Sequence, residues 1–286
     1  MSRYCGEIDA KPILKAAEHW KHSALLSNGS VFGTGQLWIS EHLDALDKNF
    51  VNQLEEGEGD FFQKLESQLQ STGLEVKQLA AEMLWLMLLC PSNISAAKKH
   101  SGIETIWNWS QQPFPADSPW LTDETLAGVG SAGTAFNTNR WRELVFFIRL
   151  MISFKKFSLT EREALLNNGW KFSDWLATIP EGETRQLRHM LLFLLFPDNF
   201  ERIFSGGDRR KIVSAFTGKP IVQLKKLAAV EIDRMLADIR LAKEAEYDTK
   251  ELDFYVEPLR ALWGDKNPES WLFSWNPKHW QWAKSC

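Results

Sequence analysis

Cysteine and excess positive charge are both scarce in this 286-residue chain. The three cysteines, Cys5, Cys90 and Cys286, are far apart and form no CxxC spacing. An odd number of scattered cysteines predicts neither a disulfide framework nor a zinc site, and it is typical of a reducing compartment. The formal net charge is −4, with 33 Lys and Arg against 37 Asp and Glu. That balance argues against a generally basic nucleic-acid coat and leaves room for a local basic patch.

Long apolar runs are missing as well. The longest cover residues 83–90 and 190–196, far fewer than the roughly 20 residues that a helix needs to cross a bilayer. The N-terminus is charged and lacks the apolar segment of a secretory signal. The sequence therefore predicts a cytoplasmic protein without a membrane partner, in which both runs form buried helices.

The common catalytic motifs are also lacking. The sequence contains no GxxxxGK[ST], GxSxG or HExxH pattern, the marks of P-loop nucleotide hydrolysis, a serine nucleophile and a zinc protease. Residues 128–133 do match the dinucleotide fingerprint GxGxxG. Residues 121–127 before them are polar and helix-prone where that fold requires a buried strand, so we interpret the match as a structural glycine turn. We expect no enzymatic activity and no cofactor in this chain.

Helical periodicity dominates the rest of the chain. Apolar residues recur every three to four positions, and Ser158 and Glu161 fit a capping box that begins one helix. The predicted class is mainly α, a multi-helix array with a short strand-like C-terminal segment. The predicted helices cover residues 9–26, 36–51, 61–70, 76–90, 96–109, 139 onward, 158–167, 185–196 and 221–245. The helix at 76–90 is apolar around most of its circumference, which is typical of a central core helix.

Prolines indicate how the helical part is divided. Pro113, Pro115 and Pro119 interrupt any regular element. We therefore predict an internal seam near residues 110–135, inside a helical N-terminal region that covers residues 1–255.

The last residues hold the densest group of the 14 tryptophans. Trp271 and Trp275 are spaced like one buried face of a β-strand, Asn276 and Pro277 form a turn signal, and Trp280 follows the turn. Hydrophobic packing is the ordinary interpretation of such a group, and a base-stacking platform is the alternative. We interpret residues 256–286 as a linker and the truncated start of a second domain.

One local basic patch lies before that segment. It consists of Arg209, Arg210, Lys211, Lys225 and Lys226. Such cations contact phosphates by releasing condensed counterions. The acidic residues Glu231, Asp233 and Asp238 follow closely, so a mixed-charge surface and a nucleic-acid contact both remain open.

Several segments, taken in order, resemble the N-terminal helical region of McrB-like AAA+ ATPases. The matching segments are residues 35–38 with Leu43 and residues 50–51, then residues 61–69, 78–85, 128–144 and 191–200. The terminal segment is similar to the first strand and turn of an EVE domain, a PUA-like β-barrel, and its matching residues are Trp271, Trp275, Asn276, Pro277 and Trp280. We assign no base pocket to these five residues.

This resemblance implies a role within a larger assembly. Members of the family place a nucleotide-hydrolysing AAA+ motor after the recognition region and act with a nuclease in the restriction of modified or foreign DNA, an anti-phage defence. It implies other subunits or domains of a restriction complex as partners, and an oligomer formed through a motor that this chain does not contain. The leading hypothesis is a non-catalytic interaction or regulatory region.

Two other classes of function remain open. The first is a DNA-binding module that uses the basic patch. The second, more remote, is an uncharacterised enzyme whose pocket no sequence motif reveals.

Overall fold

The computed structural model describes residues 3–53 and 59–264. These residues form fifteen α-helices, so the predicted mainly α class is confirmed. In chain order, α1 to α15 are Lys11–Trp20, Ser40–Leu46, Phe61–Leu69, Leu74–Leu89, Ala96–Asn108, Asp123–Leu126, Gly133–Thr138, Arg140–Lys155, Leu159–Leu166, Gly169–Leu176, Gln186–Leu195, Gly206–Thr217, Ile221–Leu224, Ala229–Glu246 and Leu259–Trp263. Two π-helical turns, Lys21–Leu26 and Asp47–Val51, extend α1 and α2.

Extended structure is minor in the described part of the chain. It consists of two isolated bridges, Gly29 with Gln36 and Pro91 with Gly130. The predicted strand-like segment begins at Trp271 and lies outside the described residues. None of the described helices combines the length and the apolar character that a membrane crossing requires.

Local sequence signals account for several helix starts. The hydroxyl of Ser158 accepts from the backbone N–H of Glu161, and the Glu161 carboxylate accepts in return from the N–H of Ser158, which is the predicted capping box. Asp60 and Gln63 form the same arrangement at the start of α3. The helix α4 is buried on every side from Leu79 to its end, as its nearly continuous apolar sequence predicts.

The predicted helix at residues 221–245 is wrong in one respect, because it is two helices. The first, α13, stops at Leu224, and α14 begins at Ala229. Ala228 between them has an extended backbone, with ψ at 153°, and its N–H donates to the carboxylate of Glu231 at 2.8 Å. A new helix start is therefore built where the apolar spacing alone predicts continuity.

The helices pack around two apolar clusters. The first cluster is built from buried side chains of α1 to α11, and the second from those of α12 to α15. The predicted seam at residues 110–135 contributes Leu121, Leu126 and Val129 to the first cluster. The indole N–H of Trp85 also donates to the carbonyl of Trp120 at 2.7 Å. The division of the chain into domains at residue 255 stays a prediction, although α15 packs into the second cluster.

A single buried carboxylate organises the loop between the first two helical segments. Glu82 of α4 is fully buried and accepts from the hydroxyl of Ser30, the amides of Val31 and Phe32, and the indole N–H of Trp38. Burial raises the pKa of Glu82, and these four donors oppose the rise. The loop is thereby fixed to the central helix.

Candidate functional site

The candidate site is a cleft of about 360 Å³ where the first turns of α11, α12 and α14 come together. It is lined mainly by polar and charged side chains from these three helix starts and from the turn before α14. A larger hollow of about 1050 Å³ lies against the N-terminal segment. The smaller cleft is the candidate site because three residues of the predicted basic patch, Arg209, Arg210 and Lys225, line it.

The structure separates the five residues of the basic patch. Arg209, Arg210 and Lys225 line the cleft, and Lys211 and Lys226, which follow two of them in the sequence, are exposed. Arg209 does not belong to the exposed patch, which corrects the sequence prediction. Its side chain is buried, where Nη1 donates to the carbonyl of Ile203 at 2.8 Å and Nη2 is paired with a carboxylate of α14.

That carboxylate is Asp233, which two arginines share. Arg188 Nη1 lies 2.8 Å from Asp233 Oδ2, and Arg209 Nη2 contacts Oδ1. The three side chains, from α11, α12 and α14, are all at most 3% exposed. Two guanidinium groups and one carboxylate leave an excess of one positive charge under the cleft. We refer to these three residues as the buried triad.

The electrostatic cost of this arrangement appears in the arginine pKa values. Burial lowers the pKa of Arg188 to about 10. Burial, followed by the nearby Arg188 charge, lowers the pKa of Arg209 to about 9. Both groups stay protonated at neutral pH, so the excess charge persists under ordinary conditions.

The neighbouring buried arginines are balanced. Arg202 forms two hydrogen bonds to Asp253, and Arg240 forms two to Glu201. Each of these arginines has a carboxylate of its own. Among the described charges buried around the second cluster, the uneven group is therefore the triad beneath the cleft.

A histidine completes the inner wall. His189 is 6% exposed and its Nδ1 lies 3.3 Å from Nη1 of Arg188. Because an arginine only donates, Nδ1 must accept and the ring proton must be on Nε2. Burial, with added repulsion from Arg209, Arg188 and Arg210, holds the pKa of His189 well below its usual value. The ring is therefore a neutral donor at pH 7.

Two of the three helix starts at the cleft already hold carboxylates. Glu143 accepts from the amides of Gln186 and Leu187 at the start of α11. Glu183 accepts from the amide of Ala229 at the start of α14, at 2.6 Å. Helix N-termini attract anions through their unpaired amides and dipole, and these contacts are examples of that attraction.

The third helix start is less covered. In α12, Ser205 accepts from the amide of Asp208 at 3.2 Å, and the first two helical residues, Gly206 and Gly207, carry no side chains. The guanidinium of Arg210 lies 3.5 Å from where a Cβ on Gly206 would sit. The guanidinium thus lies against the first turn of α12, where Gly206 lines the cleft.

The GxGxxG segment has a structural role elsewhere. The helix α6 precedes it in place of a strand. The amide of Val129 donates to the carbonyl of Cys90, and the amide of Ser92 donates to that of Gly130, both at 2.8 Å. Gly128 has φ of +86°, and a Cβ there would overlap the Pro91 carbonyl. The segment therefore connects to the end of α4, as the structural interpretation predicts.

We expect Gly128→Ala to lower the free energy of unfolding by about 2–3 kcal/mol, because it combines positive φ with backbone overlap. Gly133→Ala is the matched control. Its φ is +70°, but its nearest neighbour is the flexible side chain of Gln186 at 3.9 Å, so a loss of only about 1 kcal/mol is expected. Urea unfolding of both variants measures the difference. Equal losses would contradict the structural role of Gly128.

Sequence reasoning found the rim of the cleft and missed its floor. Arg188 and Asp233 are separated by 45 residues, and α12, which carries Arg209, had no predicted helix. The sequence does offer one signal for such a buried charge, which is a charged residue next to an apolar helical face, such as Asp233 after Ile232. Within residues 3–53 and 59–264, no three histidine, cysteine or carboxylate side chains are grouped as metal ligands.

The terminal residues of the EVE-like match lie outside the described part of the chain: Trp271, Trp275, Asn276, Pro277 and Trp280. Their resemblance therefore rests on sequence. Comparisons of the chain with protein-family models, with curated proteins and with solved structures gave no significant match.

Proposed function

We propose that this chain is a non-catalytic interaction region of a McrB-like AAA+ ATPase that restricts modified or foreign DNA. The observation that carries the proposal is the packing of the matching segments against one another. The segments of the resemblance that lie in the described residues come together around the first apolar cluster, where they contribute Trp38, Leu65, Trp85, Phe136 and Leu191.

One hydrogen bond joins two of these segments, and a second connects a matching segment to a residue close to another. Trp38 donates to Glu82 at 2.6 Å, which connects the first matching segment to the third. Gln186, just before the segment at residues 191–200, donates through its amide group to the carbonyl of Ala132 at 2.7 Å. If these motifs were inherited together as one helical region, they should pack together in the folded chain. They do so here, and this packing supports the proposal.

Such a region acts by holding recognition parts in a fixed position relative to a motor and a nuclease. Its partners are then other subunits or domains of the restriction complex, in the cytoplasm. The oligomer forms through the motor, and this chain contributes neither nucleotide hydrolysis nor a cofactor.

The test is co-purification with the AAA+ motor and the nuclease of the same system. We expect the tagged chain to retain at least one of them in a stable complex, and to hydrolyse no nucleotide by itself. A chain that binds neither component in a pull-down contradicts the proposal. The coding sequence beyond Cys286 gives a second test, because an EVE-like barrel followed by GxxxxGK[ST] is expected there.

A second candidate function is DNA binding by the exposed part of the basic patch. The observation that favours it is the shared location of Arg210 and Lys225 in one cleft wall, with Lys211 and Lys226 exposed beside them. Arg209 is left out of this DNA contact because its charge is already paired with Asp233.

With four phosphate contacts, the affinity for duplex DNA should fall roughly a hundredfold between 50 and 200 mM salt. We expect the combined replacement of Arg210, Lys211, Lys225 and Lys226 by Gln to abolish most of this salt-dependent binding in a mobility-shift assay. The control replaces four other exposed lysines by Gln: Lys48, Lys98, Lys156 and Lys171. Equal binding by the two variants would remove this candidate.

A further inference from the structure

We propose that the cleft at the starts of α11, α12 and α14 is a binding site for a single phosphoryl group. The group would be carried by a small phosphate ester or by the phosphorylated end of a nucleic-acid strand. The inference does not depend on the McrB-like proposal, because it follows from the charges and geometry of the cleft.

The lining charges favour an anion. Arg185, Arg209, Arg210 and Lys225 face Glu183, the one carboxylate among the described lining residues. Arg185 is partly neutralised, since its Nη1 lies 4.0 Å from Glu143. When Arg185 is left out and Arg209 is assigned to Asp233, Arg210 and Lys225 against Glu183 leave one positive charge in excess. No described carboxylate forms an ion pair with Arg210 or Lys225.

The buried triad adds a second reason for an anion. Asp233 is one countercharge for two buried guanidinium groups, and a buried charge without a partner is costly. Arg209 reaches the wall of the cleft from this triad, and its Nε has no hydrogen-bond acceptor among the described atoms. An anion in the cleft would supply the missing negative charge.

The geometry suits a tetrahedral oxyanion. Gly206 and Gly207 add no side chain of their own at the start of α12, and the Arg210 guanidinium lies over the same turn. Helix-start amides and a guanidinium fork are the donors that phosphates use in proteins. His189 adds a neutral donor on the inner wall. The volume, about 360 Å³, is at the small end of ligand pockets.

Two carboxylates oppose the anion: Asp208 near the cleft and Glu183 in its lining. Asp208, in the first turn of α12, accepts from the hydroxyl of Tyr255 at 2.9 Å and so is held by a donor. Glu183 is exposed and lies at the start of α14. Removal of the Glu183 charge should therefore tighten anion binding, whereas removal of a lining cation should weaken it.

The experiment titrates the full chain with inorganic phosphate at constant ionic strength, by calorimetry and by thermal unfolding. We expect saturable binding and a rise in Tm. Arg210→Gln and Lys225→Gln should each bind roughly tenfold more weakly, as expected for loss of one charge-assisted contact. Glu183→Gln should bind a few-fold more tightly. Lys156→Gln, an equal charge change at an exposed site outside the cleft, should match the native chain.

Three results would overturn the site: no binding at tens of millimolar phosphate, equal weakening by Lys156→Gln, or oligonucleotide binding that inorganic phosphate does not displace. A 5′-phosphorylated oligonucleotide that binds better than its 5′-hydroxyl counterpart supports the site and identifies a strand end. Phosphate binding without oligonucleotide binding supports the site and identifies a small ester. Loss of the McrB-like partner contacts would leave all of these outcomes unchanged.

Discussion

Replacement of Asp233 by Asn is expected to lower the free energy of unfolding by about 3–5 kcal/mol, the usual cost of breaking a buried ion pair from one side. Asp233 is 2% exposed and contacts both Arg188 and Arg209. Without its charge, two buried guanidinium groups would face each other with no countercharge. The three helices that meet at the cleft are joined through this carboxylate, so their packing should loosen together.

The measurement is urea unfolding at neutral pH, with Asp174→Asn as the control. Asp174 pairs with Arg234 at 3.3 Å, but both side chains are about half exposed, and such surface pairs contribute less than about 1 kcal/mol. Arg209→Met is a second variant, which leaves Arg188 and Asp233 as a balanced pair and should cost less than Asp233→Asn. If Asp233→Asn costs no more than Asp174→Asn, the triad does not carry the charge imbalance that we assign to it.

The triad also explains why neighbouring cations in the sequence have different roles. Arg209 and Arg210 are adjacent and both line the cleft, yet Arg209 is buried in an ion pair with Asp233 and Arg210 is only partly buried. Both residues lie on α12, and its helical geometry points their side chains in different directions. This helix begins with two glycines and has only a weak apolar face, formed by Ile212, Val213 and Phe216. No sequence pattern in that stretch predicts a helix, and without one the burial of Arg209 cannot be anticipated.

Helices with strong local signals were predictable. The capping box at Ser158 fixes the start of α9, and the continuous apolar sequence of α4 predicts its central position because only a fully enclosed helix tolerates it. The break at Ala228 was not predictable from periodicity, since Leu224 and Ile232 keep helical spacing across it. There the Glu231 side chain outweighs periodicity by capping a new helix.

The candidate site was only partly predictable for a different reason. Its basic rim is local in sequence, whereas the floor combines Arg188, Arg209 and Asp233 from three helices. Long-range ion pairs leave no spacing rule in a single sequence, so their partners become visible only when the helices are packed.

Replacement of Glu82 by Leu is expected to lower the free energy of unfolding by about 4 kcal/mol, because it leaves several donors without an acceptor in the core. The carboxylate accepts from the Val31 amide at 2.9 Å and from the Trp38 indole at 2.6 Å. It also accepts from the hydroxyl of Ser30 at 2.5 Å. Backbone amides cannot be removed by side-chain repacking, so the loop that follows α1 must move to reach water.

The same change at Glu75 is the matched control, since Glu75 is exposed on the first turn of the same helix and should change stability by only about 0.5 kcal/mol. Trp38→Phe removes one donor and part of a fully buried ring but leaves the other donors satisfied, so it should cost about 2–3 kcal/mol. Urea unfolding ranks the three variants, and hydrogen exchange at Val31 and Phe32 measures how well the loop is held.

Because Trp38 and Glu82 connect two segments of the McrB-like resemblance, we expect Glu82→Leu to weaken partner retention as well. A variant that keeps native stability and slow exchange at both amides would show that the loop does not depend on this carboxylate.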